Sequence, residues 1–557
     1  MIAAGAGVVV AALAATAAIL LAPGRLRAAA MLLALALFPL LILGDQWHTP
    51  QIEDLRDEPA ALIALALAGT GAAVLLLAAI FRLWPILVPL SIVFALPFRV
   101  PLEAGGDTAN LLVPLYMVIA GGVVSAALRE WQDRGGIVSG AGFFALRVAP
   151  LADSALRKTG RRTRLDPPAL LPYVLAGVVL LYALQTLYSP DFSKSLQNVC
   201  FFFVPFSLVY ALLQDVEWDR KLLRLVLWVL AVEAVAFMVV GSVEYVTQSL
   251  FWNDQVIRSN EFHTYFRVNS IFWDPNIYGR YLALVITVAM AALLWAKERR
   301  TPALLTALIG VLWLGLVPTF SQSSFAALLG GLAVLAALRW SWRWTLAAGG
   351  AGAVLAVVIV VFAGGVSTLS PDRLNVDTGG RSNLVSGGAD LFADRPLWGY
   401  GAGSFPRAYR EQVATKKAPV AVSHTEPITV AAEQGLVGLA AYAALLAVAL
   451  WTMASGLSPG RGGGGFRAAA ASCFSQCRLG ERESVQGEKP SARSEPPSAP
   501  QALQVTGRIA VLAAFAALLV HTMAYAGFYE DPIAWVLLAV GASLAPVAVR
   551  EGTRALR

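Results

Sequence analysis

Long apolar runs constrain this chain more than any other feature of its sequence. Of its 557 residues, 58% are hydrophobic and only 14% are charged. Because a helix needs about 20 apolar residues to cross the hydrocarbon core, these runs mark about fifteen helical spans. They lie near 2–22, 28–44, 59–81, 83–98, 109–128, 169–188, 198–214, 223–250, 275–296, 303–318, 324–338, 345–366, 427–453, 507–527 and 529–549. The sequence therefore predicts an all-α, polytopic transmembrane bundle of about 14–15 spans in a lipid bilayer.

Basic residues orient these spans, since loops rich in Lys and Arg stay on the cytoplasmic side. The alternation that places most of the 42 Lys and Arg inside puts the N-terminus and the polar segment 367–426 outside. We expect four regions along the chain. They are N-terminal helices with a basic cytoplasmic loop (1–168), a membrane core that includes the 367–426 loop (169–453), a disordered cytoplasmic insertion (454–506), and a terminal hairpin with a basic tail (507–557). The net charge of +7 reflects this orientation, and we expect no nucleic-acid partner.

The 367–426 segment is a large extracytoplasmic loop that gathers polar chemistry at one membrane face. A loop this long between spans is seldom a simple connector, and its prolines and glycines predict short helices over a cavity. It carries the glycine-rich turn 399–403, His424, and the basic residues Arg373, Arg381, Arg395, Arg407, Arg410, Lys416 and Lys417. The turn matches neither a Walker A motif nor a dinucleotide fingerprint, and no metal-binding pattern stands out. We therefore expect no cofactor and no metal.

His424 is the candidate general base. Glu426 lies two residues later and Glu433 follows within the next helix, and many cations precede the histidine. An imidazole with a pKa near neutrality can take a proton from a hydroxyl group. The alternative is that His424 is simply a polar residue at the start of a helix.

Two further arginines lie where a helix is predicted to start. Arg267 precedes the sequence Asp-Pro-Asn (274–276), and Arg280 follows one to two turns into the span. An arginine within a membrane span is usually paired or lines a cavity. Arg280 is therefore a candidate ligand-binding residue, although Glu233 and Glu244 on the preceding helix could be its structural partners.

Four segments in this order resemble the O-antigen ligase and O-antigen polymerase superfamily of bacterial envelope glycosyltransferases. The segments are Arg267 to Gly279, Ser321 to Ser324, Gly380 to Phe405, and His424 to Gly438. Many family members have Ser-Arg where this chain has Ser321-Gln322, and His-Asn where it has His424-Thr425. The resemblance covers about residues 170–450 and the terminal hairpin.

The resemblance implies transfer of a glycan from an undecaprenyl diphosphate carrier to an acceptor hydroxyl, at the extracytoplasmic face of the bacterial inner membrane. Arg267, Arg381 and Arg280 would bind the diphosphate, because guanidinium groups suit phosphate oxygens. His424 would be the base of an inverting displacement, with Glu426 as its orienter or substitute. The acceptor could be a distinct lipid or glycan, as for a ligase, or another carrier-linked repeat unit, as for a polymerase. A transporter or flippase of lipid-linked sugars is the alternative from another class.

Overall fold

The helical bundle expected from the apolar runs is confirmed. The computed structural model describes residues 2–104, 107–132, 167–251, 253, 256–258, 260, 265–296, 301–352, 381–412, 422–457 and 499–545. Within these residues, 12 helices are long and apolar enough to cross a membrane. The basic loop, the 454–506 insertion and the 345–366 span lie mostly outside the described residues, and the division into four regions stays a prediction.

The first half of the bundle ends at the Arg220–Thr247 helix. Its elements are α1 (Ile2–Leu20), α2 (Arg25–Asp45), α3 (Pro50–Asp57), α4 (Ala60–Leu83), α5 (Leu87–Ala95), β1 (Val100–Ala104), β2 (Asp107–Leu111), α6 (Val113–Gln132), α7 (Pro167–Thr186), α8 (Phe192–Asn198), α9 (Val204–Leu213) and α10 (Arg220–Thr247). A π-helical stretch, Val199–Phe203, joins α8 to α9. The two strands form an antiparallel hairpin that pairs Val100 with Leu111.

The second half contains the remaining helices. They are α11 (Pro275–Leu294), α12 (Thr301–Leu316), α13 (Gln322–Arg339), α14 (Arg381–Asp394), α15 (Phe405–Gln412), α16 (Glu426–Ala454), α17 (Ala499–Thr522) and α18 (Pro532–Leu544). A 3₁₀ turn, Val317–Thr319, follows α12. Helices α14 and α15 are the short helices expected within the 367–426 loop.

Two of the apolar runs form shorter helices than the sequence predicts. The run at 83–98 contains only α5, which ends at Ala95 before the hairpin. The last run contains the 13-residue helix α18. The exact span count was therefore harder to predict than the fold class.

Several helices begin at one end of the bundle, where side chains cap them. Asp274 accepts a hydrogen bond from the Asn276 N–H at the start of α11 (2.6 Å), and Asp531 accepts one from the Ile533 N–H at the start of α18 (2.9 Å). Ser321 caps α13 in the same way. Proline at the first helical position, as at Pro275 and Pro532, adds a preset backbone angle. The sequence thus fixes where these helices start, and their N-termini meet at one face.

Candidate functional site

Helix α16 is interrupted inside its length, and the glycine-rich turn fills the interruption. Gly435 has φ 64° and ψ −163°, which no helical residue adopts. Two backbone N–H groups of the turn donate to helix carbonyls at the break: Tyr400 to Ala432 (3.1 Å) and Gly401 to Glu433 (2.7 Å). These bonds satisfy carbonyl groups that the break would otherwise leave unpaired within the bundle.

The Glu433 carboxylate also forms hydrogen bonds at the glycine-rich turn. Its oxygens accept hydrogen bonds from the N–H groups of Gly403 (2.9 Å) and Phe405 (3.0 Å). Gly399 allows the close approach, because a Cβ there would lie 2.3 Å from the Glu433 carbonyl oxygen. Glu433 therefore positions the loop that carries α14 and α15.

His424 lies beside the loop between α17 and α18. Its backbone has φ 61°, a left-handed conformation that is uncommon outside glycine and often marks functional sites. The imidazole centroid is 6.4 Å from that of Tyr525. The next residue, Thr425, donates from Oγ1 to the Met523 carbonyl (3.1 Å). The terminal hairpin therefore forms one wall around the histidine.

Burial lowers the pKa of His424 below its ordinary value of 6.5, and the charge of Arg381 lowers it further. Asp274 acts in the opposite direction and raises it. Both charges are thus close enough to influence the ring. The imidazole is neutral at pH 7, the form that can accept a proton.

Arg267 lies against the starts of α11 and α13. Its Nε donates to the Thr319 carbonyl (3.0 Å), and one terminal nitrogen donates to Asn276 Oδ1 (3.3 Å). Burial lowers the pKa of Arg267, Asp274 raises it, and Arg381 lowers it. The charge of Arg381 thus acts on both Arg267 and His424.

Arg280 has a different partner from those the sequence suggested. Its terminal nitrogen lies 3.0 Å from Asp531 Oδ2, and both side chains are buried. Glu233 instead accepts a hydrogen bond from the Tyr281 hydroxyl (2.8 Å), and Glu244 accepts from the N–H groups of Asn269 and Ser270. The alternative in which Glu233 or Glu244 is the structural partner of Arg280 is therefore wrong, because both carboxylates accept hydrogen bonds elsewhere.

Glu426 is buried and attached to the last loop of the bundle. Its Oε2 accepts hydrogen bonds from the N–H groups of Gly527 (2.6 Å) and Phe528 (3.1 Å). Among the described residues, no hydrogen bond joins Glu426 to His424. These contacts give Glu426 a role in positioning the α17–α18 loop.

His521 and Tyr525 also belong to this site, and sequence reasoning did not single them out. His521 Nε2 lies 3.2 Å from Ser323 Oγ, and its ring centroid is 5.6 Å from that of Tyr525. Burial raises the pKa of Tyr525, which keeps its hydroxyl protonated as a hydrogen-bond donor. The four-residue spacing of His521 and Tyr525 at the end of an apolar run was the available signal.

A sequence model of the O-antigen ligase family matches residues 307–443. The matched segment contains Ser321, Arg381, the glycine-rich turn and His424, whereas Arg267, Arg280 and the terminal hairpin lie outside it. No curated protein matches the chain. Residues 307–443, about a quarter of the chain, are thus similar to the O-antigen ligase family, and this match supports the resemblance to the ligase and polymerase superfamily.

Proposed function

We propose that this chain is an O-antigen ligase-like glycosyltransferase. The donor is a glycan linked to undecaprenyl diphosphate, and the acceptor is a hydroxyl group at the extracytoplasmic face of the bacterial inner membrane. The observation that carries the proposal is a half-buried histidine, neutral at pH 7, whose pKa is lowered by burial and by the charge of Arg381, a charge that also acts on Arg267. One group can accept a proton while the others stabilise a departing anion.

The proposed step is a single displacement. The acceptor oxygen attacks the anomeric carbon and passes its proton to His424. The bond between that carbon and the diphosphate oxygen breaks, and its electron pair stays on the diphosphate. Arg381 and Arg267 stabilise the charge that develops there. Attack opposite the leaving group inverts the anomeric configuration.

The role of Glu426 in this proposal differs from the one that the sequence suggested, in which it orients His424 or replaces it as the base. Its contacts with Gly527 and Phe528 favour a positioning role for the loop that carries Tyr525. It remains the next candidate base, because it is only two residues from His424.

The broken helix α16 is a feature that would suit a transporter, because transporters commonly bind substrates at interrupted helices. In this chain, however, the carbonyls of Ala432 and Glu433 at the break already accept hydrogen bonds from the glycine-rich turn. The break is thus occupied by the chain's own turn rather than open to a substrate, which supports the transferase. A polymerase would use the same chemistry with a second carrier-linked unit as acceptor.

The direct test is a transfer assay with purified protein, undecaprenyl-diphosphate oligosaccharide and candidate acceptors. We expect a joined product together with free undecaprenyl diphosphate. Transfer to a distinct acceptor supports the ligase, and elongation of carrier-linked units supports the polymerase. No product with any acceptor, combined with substrate flipping in liposomes, would favour the transporter instead.

Arg381→Lys should lower the transfer rate about 10- to 100-fold, even though it keeps the positive charge. A lysine lacks the planar pair of donors that matches phosphate oxygens, and charged hydrogen bonds contribute about 1.5–3 kcal/mol. The matched control is Arg395→Lys. Arg395 is exposed and stacks on the Tyr400 ring at 4.3 Å, a contact that a lysine can replace. Equal tolerance of the two substitutions would remove Arg381 from the diphosphate site.

The rate of transfer should also depend on pH in a particular direction. Since the base must be neutral, kcat/KM falls as the pH drops through the pKa of His424, and a lowered pKa places this fall below pH 6.5. Arg381→Gln removes a charge that lowers this pKa, so the fall should move to higher pH. Arg395→Gln is the control and should leave the pH profile in place. If Arg381→Gln leaves the pH profile unchanged, Arg381 does not act on the group whose titration controls the rate.

A further inference from the structure

Buried serines at the start of α13 connect three separate parts of the chain. Ser321 Oγ donates to Asn276 Oδ1 at the start of α11 (2.8 Å) and lies 3.2 Å from Ser323 Oγ. Ser323 Oγ in turn lies 3.2 Å from His521 Nε2, in the last turn of α17. A terminal nitrogen of Arg267 donates to the same Asn276 Oδ1 (3.3 Å). These five side chains form a continuous serine network that runs from the terminal hairpin to Arg267.

The imidazole of His521 has one arrangement of protons that suits its surroundings. The side chain is buried, and its Nδ1 has no hydrogen-bond partner among the described residues. A proton on Nδ1 would therefore be buried and unpaired, which is costly. The backbone carbonyl of Asn276, which can only accept, also interacts with the ring. These contacts favour the neutral tautomer with its proton on Nε2, so that His521 donates to Ser323.

A donor at this end sets the direction of the whole serine network. A hydroxyl group has one proton, so Ser323, which accepts from the imidazole, donates its own proton to Ser321. Ser324 Oγ, which lies 2.7 Å from Ser321 Oγ, is a second neighbour that can donate to Ser321. Ser321 then gives its proton to Asn276 Oδ1. The Asn276 amide is thereby held with its oxygen, and not its NH₂ group, towards Arg267.

The orientation of this amide affects Arg267 because the guanidinium is held at two points. Its Nε donates to the Thr319 carbonyl (3.0 Å), and a terminal nitrogen donates to Asn276 Oδ1 (3.3 Å). The first acceptor belongs to the backbone, whereas the second belongs to a side-chain amide that can turn over. A reversed Asn276 would present its NH₂ group to the guanidinium, and two donors would face each other. The plane of the guanidinium therefore depends on how Asn276 is held.

We propose that His521 positions the guanidinium of Arg267 through the serine network. His521 acts as the hydrogen-bond donor at the far end and is a positioning residue that does not touch the substrate. Its effect on catalysis rests on the proposed function, in which Arg267 stabilises the departing diphosphate. The orientation of Arg267, however, is a property of the folded protein and can be measured without any reaction. The terminal hairpin, outside the segment that matches the ligase family, thus helps to order the site.

The first test measures how fast phenylglyoxal modifies Arg267 in the folded protein, by mass spectrometry of the peptide that contains it. A guanidinium held by hydrogen bonds is less available to the reagent than a released one. His521→Leu should raise the rate about 3- to 10-fold, within the range of couplings inside one hydrogen-bond network. The exposed Arg395 is the internal reference and should react equally in both proteins. An unchanged rate at Arg267 overturns the proposal.

Two polar variants separate positioning from packing. His521→Gln places its amide nitrogen near the position of Nε2 and can still donate to Ser323, whereas His521→Asn places its amide nitrogen near Nδ1. We expect His521→Gln to keep the wild-type modification rate of Arg267, and His521→Asn to behave like His521→Leu. A role in packing alone predicts no such difference, so equal rates in the two polar variants would refute the proposal. If His521→Leu does not fold, this pair decides the question.

The second test uses glycan transfer. His521→Leu should lower kcat about 10-fold, because a misplaced charge-stabilising group loses much of its effect. The KM for the acceptor should stay the same, since the serine network acts on the group that stabilises the diphosphate. When Arg267→Gln is already present, His521→Leu should change kcat less than about 2-fold, because the residue that it positions is gone. Effects that multiply instead would show that His521 does not act through Arg267.

The matched control is Thr287→Val. Thr287 is buried in α11 against Gly331 of α13, and its hydroxyl donates to the Ala283 carbonyl of its own helix (2.8 Å). We expect the wild-type rates of Arg267 modification and of transfer, since this hydroxyl lies outside the serine network. Phenylglyoxal reports on Arg267 without donor or acceptor. If the wild type transfers no glycan, the proposed function fails, and the modification rates still decide whether His521 positions Arg267.

Discussion

His424→Asn should slow glycan transfer by about 10²–10⁴-fold, the range typical of losing a general base. Asparagine is among the residues that best tolerate a left-handed backbone, so this substitution keeps the φ of 61° while removing the imidazole. Binding of the lipid-linked donor should persist, since the arginines remain. The measurement is single-turnover transfer with saturating donor and acceptor, alongside a donor-binding assay.

Two comparisons sharpen this result. His48→Asn changes an exposed histidine after α2 and should transfer at the wild-type rate. His424→Ala should lose a similar amount of activity to His424→Asn, because both lack the base. If transfer survives in His424→Asn, the protein is still a transferase but His424 is not its general base. Glu426 would then be the next residue to test.

Gly435→Ala should have the largest effect on stability. A Cβ at this position would lie 2.4 Å from the Leu397 carbonyl oxygen, and it would have to adopt a positive φ. Such a backbone conformation alone costs about 1–3 kcal/mol for a residue other than glycine, and the backbone clash adds to it. We expect a clear fall in the melting temperature of the detergent-solubilised protein, together with loss of transfer.

The control is Gly310→Ala in α12. This glycine lies inside a helix with nothing within 4 Å of an added Cβ. Alanine there should be neutral or stabilise the protein by up to about 1 kcal/mol, because it favours the helix. An unchanged melting temperature in Gly435→Ala would show that the turn and the broken helix are not held as tightly as their contacts imply.

Sequence reasoning succeeded where one local signal was sufficient. Apolar runs mark spans because the bilayer demands about 20 consecutive apolar residues, and capping residues such as Asp274 mark helix starts. Arg267, Arg381 and His424 could be proposed together because each precedes or begins a helix at the same predicted face. In the structure, the charge of Arg381 acts on both of the other two residues.

The pairing of distant residues could not be predicted in this way. Hydropathy gives no information on which carboxylate meets Arg280, so the nearby Glu233 and Glu244 were named and Asp531 was not. The break in α16 could not be predicted from hydropathy either, since residues 427–453 form an apolar run around Gly435. Its cause is the tertiary hydrogen bonding of the glycine-rich turn.

The attachment of Glu426 to Gly527 and Phe528 bears on the order in which the protein is made. The wall around His424 includes Met523 and Tyr525, which lie between the last two helices. Ribosomes synthesise the chain from its N-terminus, so the segments that contain Arg267 and Arg381 are made before the residues that complete the wall around His424. The nascent chain thus carries an open, unfinished chamber until its last helices insert. For the proposed transferase, we therefore expect activity only after the terminal hairpin has inserted, and no activity in a chain that stops before it.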